Sequence, residues 1–217
     1  MGFAENIRRG YNSLLSPGNA TKKHMNIMGA LSFYYMLSLI PFVLFIAIGS
    51  LVLAANMNMS VLPFWSNFGY QFGLTTTSLL FLLLGGILYF WVFVPIGIFI
   101  NALLYQLVGK FFLNIWRGTY DKTFTAAMFG VLPSMLFYWL MPIPIINIFY
   151  LAVFGVWSFV VFVIALANQQ KVTRMSAFLG MLATVAIVMF ATMILMILLF
   201  VTAAPPLPAG GAHPYPI

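Results

Sequence analysis

Lys171–Ala203 reads KVTRMSAFLGMLATVAIVMFATMILMILLFVTA. Two basic residues, Lys171 and Arg174, lead into a run from Ser176 to Ala203 without a single charged side chain. A helix needs about 20 predominantly apolar residues to cross ~30 Å of hydrocarbon, so this run spans a bilayer with residues to spare. The same pattern of cluster and uncharged run recurs toward the amino terminus. Apolar runs cover roughly 26–55, 78–108, 124–141 and 145–167, and with 176–203 they make five. The expected fold is all-α: a polytopic integral membrane protein with five transmembrane helices within residues 25–203.

Composition requires the same solvent. Hydrophobic residues make up 64% of the chain, charged residues 5%, and the mean hydropathy is +1.08. Soluble domains carry about 25% charged residues because water must wet their surface. Nine Lys or Arg and two acids cannot coat a 217-residue globule. Lipid is the partner that this surface implies.

The basic residues then orient the spans. Arg8, Arg9, Lys22 and Lys23 precede the first run, Lys110, Arg117 and Lys122 separate the second from the third, and Lys171 and Arg174 separate the fourth from the fifth. The loop 56–77, the turn Pro142-Ile143-Pro144 and the segment after Ala203 hold no charge. With five spans every cation falls on one side, which the positive-inside rule makes cytoplasmic. The amino terminus is therefore expected inside a cell membrane and the carboxyl terminus outside. The net charge of +7 sits in short clusters beside apolar runs, a pattern suited to anionic head groups and not to nucleic acid. The first ~24 residues hold no apolar core followed by a small-residue cleavage site, so the first run is expected to act as its own insertion signal.

Four segments lie outside the lipid core. Residues 1–24 carry Phe3, Ile7, Tyr11, Leu14 and Leu15 at helical spacing with Arg8 and Arg9 beside them, which predicts an amphipathic interfacial helix stopped by Ser16-Pro17-Gly18-Asn19. Lys110, Asn114, Arg117 and Asp121 share a helical stripe opposite Phe111, Phe112, Ile115 and Trp116. That spacing predicts an interfacial continuation of the second helix, turning at Gly118. The uncharged, aromatic-rich loop Met57–Gly73 is expected along the outer head groups, where Asn58-Met59-Ser60 matches a glycosylation pattern. Residues 204–217, rich in proline and glycine, read as an extended outer tail.

Signs of chemistry are sparse. With no cysteine, thiolate chemistry and disulfides are excluded. His24 and His213 fall on opposite sides, and Met57 and Met59 read as apolar filler among fourteen methionines. No metal or cofactor is expected. Asp121, between Arg117 and Lys122, reads as part of a wetted ion-pair loop; a catalytic acid would need a partner group that the sequence does not offer. The runs carry amides and hydroxyls, among them Ser38, Asn101, Gln106, Ser134, Asn147, Thr184 and Thr192, but no ionisable group of the kind that marks coupled transport. Two small-residue stripes stand out: Ala126, Gly130 and Ser134 in the third run, and Ser176, Gly180 and Thr184 in the fifth. Such spacing lets helix backbones approach closely.

The expected function is that of a non-enzymatic scaffold, interaction protein or accessory subunit, with a membrane-protein partner or further copies of the chain. The alternative is a channel or facilitator for a small uncharged solute, suggested by Pro41, Gly85-Gly86 and Pro95 with Asn101 and Gln106 nearby.

Arg117-Gly118-Thr119-Tyr120-Asp121-Lys122-Thr123-Phe124, followed by Ala126-Ala127 and Gly130-Val131-Leu132-Pro133, resembles the basic loop and third helix of the Yip family (Ypt-interacting proteins). Lys171–Ala177 is similar to that family's loop before the fifth helix. The resemblance, to a prokaryotic-type member, implies a five-helix domain that organises membranes or binds partners. Eukaryotic members have a long amino-terminal region with an Asp-Leu-x-Gly-Pro-like motif that this chain lacks, so their small-GTPase binding is not implied.

Overall fold

The computed structural model describes residues 3–54, 76–143 and 146–203, and every regular element among them is helical. A short helix α1 (Phe3–Leu15) and a single turn α2 (Pro17–Ala20) precede the first long helix, α3 (Ile27–Ala54). The second span joins α4 (Thr76–Leu88) to α5 (Val94–Leu107) through a π-helical turn at Tyr89–Phe93, and ends in another at Val108–Phe112. The third is α6 (Tyr120–Leu136) with a 3-10 turn at Tyr138–Leu140; α7 (Ile146–Gln170) and α8 (Arg174–Ala203) complete the bundle. Five helices are long and apolar enough to cross a membrane, so the chain is a multi-pass, all-α membrane protein. The outer loop Met57–Gly73 with Asn58, Pro144 and the tail 204–217 lie outside the described residues.

The second span is one continuous helix through Gly85-Gly86. A Cβ on Gly86 would stand 3.0 Å from the Phe42 ring, so glycine here admits a close approach by α3. The irregularity lies further on, and Pro95 explains it. Pro95 has no N–H to offer the carbonyl of Trp91 in α register or that of Phe90 in π register. Consecutive tyrosines on α3 supply the missing donors: Tyr34 Oη donates to the Phe90 carbonyl at 2.7 Å and Tyr35 Oη to the Trp91 carbonyl at 3.3 Å. Trp91 Nε1 donates in return to Ser38 Oγ at 3.1 Å. Irregular backbone at membrane depth is tolerated where neighbouring helices satisfy it in this way.

Helix α6 is the centre. Thr123 to Gly130 are buried without interruption, which only a helix enclosed on every side allows. Gly130 opens the seam with α7, since a Cβ there would meet Phe162 at 2.7 Å. Four residues on, Ser134 and Ser158 share a hydroxyl hydrogen bond of 2.6 Å, and Tyr150 Oη donates to the Ser134 carbonyl at 2.6 Å. Phe33, Phe90, Phe124, Phe129 and Leu132 fill the core around this helix.

The segment between the second and third spans departs from the expected interfacial helix. The helix stops at Phe112, and Asn114 takes a left-handed conformation at φ 51°. Asparagine tolerates that conformation better than most residues. The reversal carries Trp116 back into the bundle, where it is 2% exposed instead of lying at the surface. Asp121 belongs to the first turn of α6, two residues after the N-cap residue Thr119.

Candidate functional site

Two polar assemblies occupy the end of the bundle where the charges gather. The first joins the second, third and fourth spans. Gln106 Nε2 donates to the Gly118 carbonyl at 3.0 Å, and the Gly118 N–H donates to Gln170 Oε1 at 2.6 Å. Gln170 Nε2 donates to Thr123 Oγ1 at 2.7 Å, and Thr123 Oγ1 donates to Gln106 Oε1. The four groups close a ring in which both amides are used at both ends. Gly118 is required by space: a Cβ would come within 2.6 Å of Gln170 Oε1 and 2.9 Å of Lys122 Cδ. Beside the ring, Trp116 Nε1 donates to the Tyr105 carbonyl at 2.7 Å. Its indole presses on Gly109 and on Gly180 of α8, where added Cβ atoms would fall 1.5 and 2.5 Å from it.

The second assembly is the amino-terminal strap. Gln169 Nε2 donates to the Thr21 carbonyl at 2.6 Å, Asn168 Nδ2 to Thr21 Oγ1 at 2.8 Å, and Thr125 Oγ1 to the Met25 carbonyl at 2.8 Å. These bonds pin residues 18–25 across the ends of α6 and α7. Helix α1 then runs along the bundle with one polar stripe inward, while Glu5, Arg8 and Asn12 stay exposed. Asn6, Arg9 and Ser13, at helical spacing, are all buried, while Tyr11 and Leu15 are 60% and 65% exposed. Gly10 lies against Leu37, and Trp157 Nε1 donates to the Leu14 carbonyl at 3.1 Å.

Arg9 is the unusual group. Its guanidinium lies 5.7 Å from the Phe33 ring centroid and 5.2 Å from that of Phe129. Nη2 donates to the Lys23 carbonyl at 2.7 Å, whereas buried Nη1 has no hydrogen-bond partner. Aromatic faces attract a cation by about 0.5–2 kcal/mol, less than the several kcal/mol that burying an ion costs. Burial accordingly lowers the Arg9 pKa, and Glu5 one turn earlier partly offsets this by its charge. Beside Arg9 an open cavity of about 560 Å³ is lined by Glu5, Arg8, Arg9, Asn12, Asn19 and Lys23, among others.

The remaining sequence candidates fall as follows. Arg8, Lys22, Lys23, Lys110, Arg117, Lys171 and Arg174 are exposed, Lys122 is half-buried, and Arg9 alone is buried. Ala126 is fully buried in α6. Ser176 serves the helix start, its N–H donating to the N-cap oxygen Thr173 Oγ1 at 3.1 Å. Thr184 Oγ1 donates to the Gly180 carbonyl within its own helix at 2.8 Å. Asn101 is exposed. Sequence reading did not assemble Gln106, Thr123 and Gln170, though amides at the ends of two apolar runs are a usable signal. It also missed the inward stripe Asn6, Arg9 and Ser13, which is visible as polar residues spaced three and four apart.

Comparison with known proteins finds no family model, no curated protein and no solved structure that matches the chain.

Proposed function

We propose that this protein is a non-enzymatic scaffold or accessory subunit of the cell membrane that binds another membrane protein along its last helix. The observation that carries the reading is the outer half of α8. From Val185 to Ile197 every side chain is exposed apart from half-buried Val188, on all sides of the helix. The first turns of the same helix are held by Trp116. Lipid tails and partner side chains are equally apolar, so such a half-helix gains from whatever surface packs it best. A helix anchored at one end by the bundle loses little freedom on docking.

The features that suggested a solute path carry other loads. The carbonyls freed by Pro95 are bonded to Tyr34 and Tyr35, and Gln106 is spent within its ring. They support a scaffold over a channel. The proposed kinship with the Yip family belongs to the same reading and rests on the loop and helix residues 117–133, which supply Gly118 and Thr123 to the glutamine ring and Gly130 to the central seam.

The chain has no cysteine, so a single cysteine replacing Met189, Met193 or Ile197 gives an unambiguous crosslinking probe. In native membranes these positions are expected to form a defined adduct, with a different protein or with a second copy. A strictly monomeric, uncrosslinked particle after gentle detergent extraction sinks the reading.

A further inference from the structure

Three cations, Arg8, Arg9 and Lys23, and one carboxylate, Glu5, line the cavity beside α1, for a net charge of +2 (3 − 1). Arg9 is nine-tenths buried behind this wall, and its Nη1, sealed from solvent, lacks an acceptor, so its charge is left largely uncompensated. The rings of Phe33 and Phe129 stand near its guanidinium but present no lone pair to an N–H. Asn19 Oδ1 already accepts from Lys22 Nζ at 3.3 Å, which leaves its amide N–H groups as the free donors. We propose that this cavity binds a phosphate group, held by the exposed guanidinium of Arg8 and ammonium of Lys23, with the charge of buried Arg9 behind them.

The chemistry matches on three counts. Guanidinium donors form paired, charge-assisted hydrogen bonds to phosphate oxygens. A volume of about 560 Å³ exceeds what a lone phosphate fills and leaves space for a polar substituent. Glu5 repels a second negative charge but accepts from a hydroxyl or ammonium, so a phosphodiester carrying such a donor suits the whole lining. A phospholipid head group such as phosphatidylglycerol has this chemistry, and exposed Tyr11 and Leu15 on the outer face of α1 offer an apolar path for its chains. The site is independent of the partner reading for α8, and either can fail alone.

The test uses the full chain in nanodiscs of phosphatidylcholine containing a minor fraction of phosphatidylglycerol, with retained lipid counted by native mass spectrometry. The wild type is expected to keep one phosphatidylglycerol. Arg8→Gln with Lys23→Gln, both on exposed side chains, is expected to weaken retention by roughly tenfold or more while leaving the thermal midpoint unchanged. Lys110→Gln with Arg117→Gln removes the same charge elsewhere and is expected to retain the lipid. Equal loss in both double variants would reduce the effect to general electrostatics and overturn the site, as would full retention in the first. Millimolar inorganic phosphate separates the sources: displacement of the lipid assigns the cavity to a free phosphate, and persistence assigns it to the head group.

Discussion

Thr123 holds two amides in register by giving one hydrogen bond and receiving another. Thr123→Val keeps the shape and removes both, leaving Gln106 Oε1 and Gln170 Nε2 unpaired in a buried place. Thermal unfolding in detergent is expected to show a loss of about 2–3 kcal/mol, with Thr123→Ser retaining most of the stability. Gly109→Ala places a Cβ 1.5 Å from Trp116 Nε1. The indole must leave its slot, so tryptophan emission is expected to shift to longer wavelength; an unchanged spectrum refutes the wedge. Lys171 ends α7 at φ 55°, and the Val172 N–H reaches back to the Ala167 carbonyl at 3.1 Å. This is the helix end that glycine normally makes, so Lys171→Gly is expected to stabilise by about 1 kcal/mol, read as a raised thermal midpoint. None of these roles is visible at its own position. Trp116 reads as an interfacial aromatic until the Asn114 reversal is known, and Thr123 reads as one more hydroxyl at a helix start.

At the scale of elements, the second span shows what periodicity reveals and what it hides. An uncharged run from 78 to 108 announces a membrane helix, and Pro95 within it announces a disturbance. Nothing local says that Tyr34 and Tyr35, on another helix, take the carbonyls that the proline abandons. If they do, the phenol and the proline are coupled. Tyr34→Phe is expected to cost about 1 kcal/mol in the native background and distinctly less after Pro95→Ala, where the backbone supplies its own N–H. A double-mutant cycle with no coupling removes the explanation. Helix α1 teaches the complementary lesson. Its amphipathic spacing was legible, and the structure turns Tyr11 and Leu15 outward while Ile7 packs on the core; that its polar stripe would be buried against α3 and α6 depended on where those helices stand.

For the whole molecule, the antiparallel succession of five spans brings the starts of α3, α6 and α8 to the ends of the second span and α7, and the contacts agree. Thr125 meets Met25, Gly118 meets Gln170, and Trp116 meets Gly180. The basic clusters thus share one end, for which the positive-inside rule predicts the cytoplasmic side. A cysteine replacing Lys171 is expected to label only after the membrane is breached, and one replacing Ala212 from outside in intact cells. The reverse labelling inverts the orientation without touching the helix count.

The sequence by itself determined the solvent, the helical class and the number of spans. Those follow from the sum of apolar residues along a segment and from the placement of a few charges, quantities that need no knowledge of neighbours. Which side chains are sealed from lipid, and which amide meets which carbonyl, was decided only by the tertiary structure. In a membrane the lipid-facing and the protein-facing sides of a helix are equally apolar, so the pattern that reveals a buried face in water loses its contrast. Lys171–Ala203 carries that division within itself. Its length marks it as a span, while the Trp116 indole against Gly180 and the Phe159 ring against Phe178 show where the bundle holds it.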